Sequence, residues 1–247
     1  MRLFKQKRDD KEMVLIPAGY FLMGSNEDID ELLRYGAALM PIEKPQRKIY
    51  LDAYYMDIYP VTNAEFARFI NTTGYKAEGT KYGLWKDYAG AGKERHPVVS
   101  VSRNDMLAYC QWVNKRLPTE AEWEKASRGT NGRIWPWGND FDLLKCNAKE
   151  SEIGQTTPVD KYPKVKSPYG CYDMVGNVWE IVNDWMDFDY YKSGPTRNPE
   201  GPDFGLAPVM RGGAFSTLLA NCRCAFRICP DSSTQFDRVG FRCAGSI

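Results

Sequence analysis

The chain has 247 residues, 43% hydrophobic and 26% charged, with a formal net charge of +1. That is enough for one domain with a substantial core, and the lack of any basic run or stripe argues against a nucleic-acid partner. No apolar run approaches bilayer length, and the charged N-terminus MRLFKQKRDDKEM lacks the apolar stretch of a secretory signal, so no membrane span is expected and the default compartment is the cytoplasm.

Residues 1–12 read as a charged extension, and residues 13–247 as one domain. The first strand is expected in MVLIPAGYFLMGS, ending at Gly24-Ser25. Residues 26–45 are polar and mixed. A second strand region, RKIYLDAYYMDIYPVT, alternates apolar residues at Ile49, Leu51, Ala53 and Tyr55. Thr62-Asn63-Ala64-Glu65 is a capping box, with Phe66, Phe69 and Ile70 at helical spacing and Gly74 as a stop. Ser102 opens a second helix carrying Met106, Leu107, Cys110 and Val113. Thr119-Glu120-Ala121-Glu122 caps another, which ends at Gly129. Beyond Gly129 no long helix is expected. With 7 Trp, 15 Tyr, 11 Phe, 21 Gly and 15 Pro, the remainder reads as short strands and irregular chain.

Seven cysteines are an odd number for a disulfide scaffold, and mostly reduced thiols are expected. Cys222, Cys224, Cys229 and Cys243 fall in the C-terminal stretch from Arg211 to Arg242. This stretch begins RGG and ends GFR. From Arg211 to Thr234 it contains no Lys, Glu, Gln, Met or Trp.

The segments MVLIPAGYFLMGS, YLDAYYMDIYPVTNAEFARFI, HPVVSVS, RLPTEAEWEKASRG, WPWGN, TTPVDKYP, GCYDMVGNVWE, RGGAF and RVGFR occur in that order. Together they resemble the formylglycine-generating-enzyme/sulfatase-modifying-factor domain over about Met13 to Ala244. The resemblance implies an α+β fold, a C-type-lectin-like variant with two main helices, a small twisted antiparallel sheet and much irregular loop. It implies three kinds of activity: copper-dependent oxidases that convert a sulfatase cysteine to formylglycine, iron-dependent sulfur-transfer enzymes, and non-catalytic binders, among them the variable proteins of diversity-generating retroelements.

The oxidases hold copper through two cysteines after RGG, as suits soft thiolates. Counted forward, those positions fall on Thr217 and Cys222; counted backward from RCAFR, on Ala214 and Leu219. Neither count gives a pair, so no copper is expected. The single histidine, His96, cannot supply an iron triad. The resemblance implies a structural calcium at Asp173 and Glu180 with the carbonyls of Gly176 and Val178. A second, weaker calcium site would use Asn147, but its acidic member aligns with Ser151.

With no active site matched, the expectation is a non-catalytic ligand-binding protein, a retroelement variable protein, displaying a diversified surface to an unknown protein or other macromolecule. Its contact residues would be Phe215, Ser216, Thr217, Leu218, Leu219, Asn221, Cys224, Phe226, Ile228, Cys229 and Ser232. The expectation requires Ser216, Leu218, Phe226 and Ile228 to lie exposed on one face. The alternatives are a formylglycine-generating oxidase or related metal-dependent oxidoreductase, binding copper through Cys222 and one other thiol, and an accessory binding domain with a fixed partner.

Overall fold

The computed structural model describes residues 3–5, 9–25, 36, 41–231 and 236–247. Both expected strand regions divide. The first becomes β2 (Glu12–Ile16) and β3 (Gly19–Met23), separated at Pro17-Ala18 and by Gly19 at φ +140°. The second becomes β4 (Arg47–Leu51) and β5 (Tyr54–Asp57). The halves sort into different sheets: β3 pairs with β4 alone, while β2 and β5 join a four-stranded sheet ordered β1-β2-β5-β10. There β1 (Leu3–Lys5), inside the stretch read as an extension, lies antiparallel to β2, and β10 (Ala244–Gly245) returns from the chain's far end.

The three capping boxes form as the sequence predicts. Thr62 caps α1 (Asn63–Thr73), Ser102 caps α2 (Arg103–Trp112) and Thr119 caps α3 (Glu120–Arg128), each accepting from the third residue of its helix. The fold is thus α+β with small sheets as expected, but it carries three helices of this kind rather than two. Beyond Gly129 the described residues add one short helix, α4 (Phe188–Ser193). A third sheet, ordered β8-β7-β6-β9, is built from β6 (Trp179–Trp185), β7 (Pro208–Arg211), β8 (Arg227–Ile228) and β9 (Val239–Gly240).

Helix α3 is the axis. It packs on β3, β4, β6 and β7, and every residue from Glu120 to Arg128 is buried. So polar a helix tolerates burial only because each charge finds a partner. Glu124 meets Arg128 at 2.7 Å and Arg211 at 2.5 Å. Glu120 takes both branches of Arg227 at 2.6 and 2.7 Å. Lys125 donates instead to the carbonyls of Pro17 and Gly19, and burial pushes its ammonium pKa down to about 8.

Apolar packing falls into clusters around this axis, one of them gathering Trp135, Cys146, Ala148, Val175, Leu219, Ala220 and Cys222. All seven cysteines are free, and Cys110 Sγ lies 3.4 Å from Cys243 Sγ.

Candidate functional site

After β7 the chain makes the Gly212-Gly213 turn, at φ +92° and +77°. A Cβ on Gly213 would stand 2.5 Å from Cys222 Sγ, so glycine is what lets the turn close over that thiol. Below the turn Thr217 Oγ1 accepts from Ala214 N at 3.1 Å, and Cys222 Sγ reaches the Thr217 carbonyl at 3.7 Å. Thr217 and Cys222, the two positions of the forward count, are thus neighbours. A threonine hydroxyl is a hard oxygen, unlike the thiolates that suit a soft metal.

Four of the segment's five arginines form its underside. Arg211 is fully buried and binds Glu120, Glu124 and the carbonyls of Cys224 and Ala225. Arg223 pairs with Glu43, and Arg227 with Glu120. Arg242 holds Glu180 through two bonds of 2.7 Å and also reaches carbonyls of Asp57, Ile58 and Tyr172. RGG and GFR are framework as expected. Arg223 and Arg227 extend that framework into the middle of the segment. The available signal was an unexplained surplus: α3 brings buried-facing Glu120 and Glu124, and their counter-charges had to come from somewhere.

The expected contact residues do not make a display face. Leu219, Cys224 and Phe226 are buried, and Phe215 nearly so. Phe226 packs against Trp179 with ring centroids 6.1 Å apart. Cys224 Sγ accepts from Ser127 at 3.0 Å. Ser216, Thr217, Leu218, Asn221, Ile228 and Cys229 are half-buried. Ser216 is engaged by Arg238 at 2.7 Å, Leu218 lies against Gly36, and Ile228 packs on the apolar core. Ser232 lies outside the described residues. Of the required exposed quartet, none is exposed. Burial accounts for three of the five missing residue types, since Lys, Glu and Gln avoid such positions; it does not account for the missing Met and Trp.

The calcium residues divide. Asp173 is half-buried, its Oδ2 accepts from Asn177 at 2.9 Å, and loss of solvation pushes its carboxyl up to about 7. A hard cation would relieve that cost. Glu180 fits less well: Arg242 takes both its oxygens, and Trp123 Nε1 donates to Oε2 at 2.8 Å. Gly176 and Val178 lie in the tight loop between them. At Asn147 the hydroxyl of Ser151 stands 3.0 Å from Oδ1 and 2.7 Å from the Ala148 carbonyl, so its single proton serves one of these oxygens at a time. His96 sits beside Thr156, with 2.9 Å from Nδ1 to Oγ1.

A separate cavity of about 610 Å³ is lined by Asp52, Tyr54, Arg116, Glu122, Asn198 and Glu200 among others. Within it Arg116 pairs with Glu122 at 2.6 Å, while Asp52 is held at 2.9 Å by Arg197, which is not part of the lining.

Residues 2–247 match the Sulfatase-modifying factor enzyme 1-like domain. The chain belongs to this family. It is 36% identical over 290 residues to the formylglycine-generating enzyme of Bos taurus, covering 94% of this chain and 74% of that protein. Among solved structures, PvdO from Pseudomonas aeruginosa superposes with a TM-score of 0.81 at 26% identity, covering 100% of this chain and 98% of PvdO. Variable protein 1 of Treponema denticola superposes with a TM-score of 0.76 over 100% of this chain and 99% of that one, at 19% identity, a likeness of fold alone. These findings correct the sequence reading. The expected fold family holds, but a non-catalytic variable protein does not: the extended sequence similarity is to enzymes, and the segment expected to be a display face is largely packed inside. Among the described residues no helix is long and apolar enough to cross a membrane.

Proposed function

We propose that the protein is an oxidoreductase of the formylglycine-generating type, with its reacting centre where Thr217 and Cys222 meet beneath the Gly212-Gly213 turn. The observation that carries this reading is the 36% identity to a formylglycine-generating enzyme over 94% of the chain. The geometry supports it. The turn and its arginine underside hold Cys222 in a fixed place, which is what a reacting group needs and a diversified contact residue does not. Burial keeps the Cys222 thiol protonated, its pKa raised far above the ordinary value. A resting thiol of this kind is inert until something at the site takes its proton.

The substrate class is a cysteine-bearing peptide, and the product is the corresponding aldehyde. The test is to incubate the metal-loaded protein with a cysteine-containing sulfatase peptide, oxygen and a thiol reductant, then to trap aldehyde with a hydrazine and read the peptide mass. Aldehyde from the wild type and none from Cys222→Ser is the expected result. No aldehyde from fully loaded wild type would overturn the reading.

A further inference from the structure

The cavity of about 610 Å³ opens beside Thr119, the N-cap of α3. Stretches remote in sequence build it: 51–54, 116–122, Asn183, 198–200 and 246–247. None of its lining residues falls between Arg211 and Arg242, so this space is distinct from the turn over Cys222. Its volume lies within the range of small-ligand sites, about 300–1,000 Å³.

The lining is divided. Leu51, Tyr54, Leu117 and Pro199 are buried and give an apolar wall. The Tyr54 hydroxyl donates to the Glu122 carbonyl at 2.6 Å, so its proton is already spent. Against this wall stand three carboxylates, Asp52, Glu122 and Glu200, and one cation, Arg116. The guanidinium is committed: Arg116 donates to both oxygens of Glu122 at 2.6 Å and to the Leu117 carbonyl at 3.2 Å. Asp52 is answered by Arg197 at 2.9 Å and by Asn198 at 2.7 Å. Glu200 is exposed, and among the described residues its carboxylate has neither an ion pair nor a hydrogen-bond donor. One negative charge at the mouth therefore lacks a counter-ion, and the only cation of the lining is held elsewhere.

That arrangement selects a ligand. An anion would meet surplus carboxylate and an arginine already bound. A neutral apolar molecule would leave Glu200 unanswered. An alkyl stem ending in a guanidinium or ammonium suits both parts, the stem on the apolar wall and the head in the wet mouth, as long basic side chains lie on protein surfaces. A planar guanidinium can also meet a carboxylate through two donors.

We infer that this cavity binds an organic cation, a guanidinium or ammonium group on an apolar stem, with Glu200 as its charge partner. The same chemistry is carried by a small free cation and by a basic side chain of a polypeptide. The assignment goes beyond the oxidoreductase reading and does not depend on it.

The experiment is calorimetric titration of the full chain at low ionic strength with butylguanidine and with its uncharged counterpart, butylurea. Butylguanidine should bind at one site, about tenfold or more tighter than butylurea, and should weaken as salt is raised. Glu200→Gln keeps the size and removes the charge; it should weaken butylguanidine about tenfold and leave butylurea unchanged. Cys222→Ser should bind butylguanidine as the wild type does. Equal affinity for the two probes, undiminished affinity in Glu200→Gln, loss in Cys222→Ser, or no butylguanidine binding at all each overturns the inference. The comparison of the two probes on the wild type needs no variant to fold. A capped peptide, acetyl-Gly-Arg-Gly-amide, separates the sources. Tighter binding than butylguanidine assigns the site to a polypeptide side chain, and equal or weaker binding assigns it to a free cation; either result upholds the site.

Discussion

The segment from Arg211 to Cys229 has two sides made of opposite materials. One side is ionic: Arg211, Arg223 and Arg227 against Glu43, Glu120 and Glu124. The other is apolar and holds sulfur: Cys222 with Cys146, under Trp135, Leu219 and Ala220. Both are buried, but they do different work. Every arginine of the ionic side is committed to a carboxylate, so that side is closed to further chemistry and fixes shape. The sulfur side holds thiols whose protons burial retains, so it has binding capacity in reserve.

The largest effect should follow from cutting the ionic side. Arg211→Leu leaves Glu124 with only Arg128 and the Gly24 amide, both on one oxygen, and leaves the carbonyls of Cys224 and Ala225 without the donors they have in Arg211. Breaking one partner from such a network costs about 3–5 kcal/mol. Urea unfolding should show that loss, and a change under ~1 kcal/mol would mean the network is not what holds the segment. Phe226→Ala sharpens the same point from the apolar side. At a packed position the truncation costs about 3–5 kcal/mol, whereas on a display face it would fall within about 0.5 kcal/mol. A near-neutral Phe226→Ala would restore the display surface.

A third measurement separates ionic groups that are paired from one that is not. Asp173 has its carboxyl pushed up to about 7 by burial, against an ordinary value of 3.8. A carboxyl raised on folding binds more protons in the folded state, so its contribution to stability is present at low pH and is lost as pH rises from about 4 to about 7. Asp184, raised to about 8 by burial and by Glu120, slopes the same way. Without added cation, melting temperature should therefore decline across that window, and Asp173→Asn should flatten the decline while keeping an acceptor for Asn177. Calcium should flatten it in the wild type and not in the variant. A decline that neither the variant nor calcium alters would remove Asp173 from the list of cation ligands.

Much of the scaffold was legible because it is local. Thr62, Ser102 and Thr119 with their partners three residues on are short-range chemistry, and all three helices start where those residues say. The breaks at Pro17 and at Asp52-Ala53 were less legible, because alternation runs through them and only sheet partnering divides the strands. The site was least legible. Arg223 and Arg227 look like surface arginines until α3 is known to be buried entire, and their partners lie 180 and 107 residues away. The missing residue types in the segment were a real pattern with two causes, diversification or burial, and sequence carries no measure of exposure. The closeness of the Gly212-Gly213 turn to Cys222 was not legible either, because a glycine's reason for being glycine is a matter of space.

The smallest effect on stability should come from the residue with the largest effect on chemistry. Cys222→Ser swaps a buried sulfur for a smaller, more polar oxygen. An unpaired buried hydroxyl costs about 1–3 kcal/mol, and the Thr217 carbonyl already facing Cys222 Sγ offers that hydroxyl an acceptor, which holds the cost to the lower part of the range. Folding should therefore survive, with peptide oxidation gone. This opposes Arg211→Leu, where folding suffers first and function follows it. If Cys222→Ser instead unfolds the chain as severely as Arg211→Leu, the sulfur side is framework too, and the division between a closed face and a reactive face fails at the residue on which it depends.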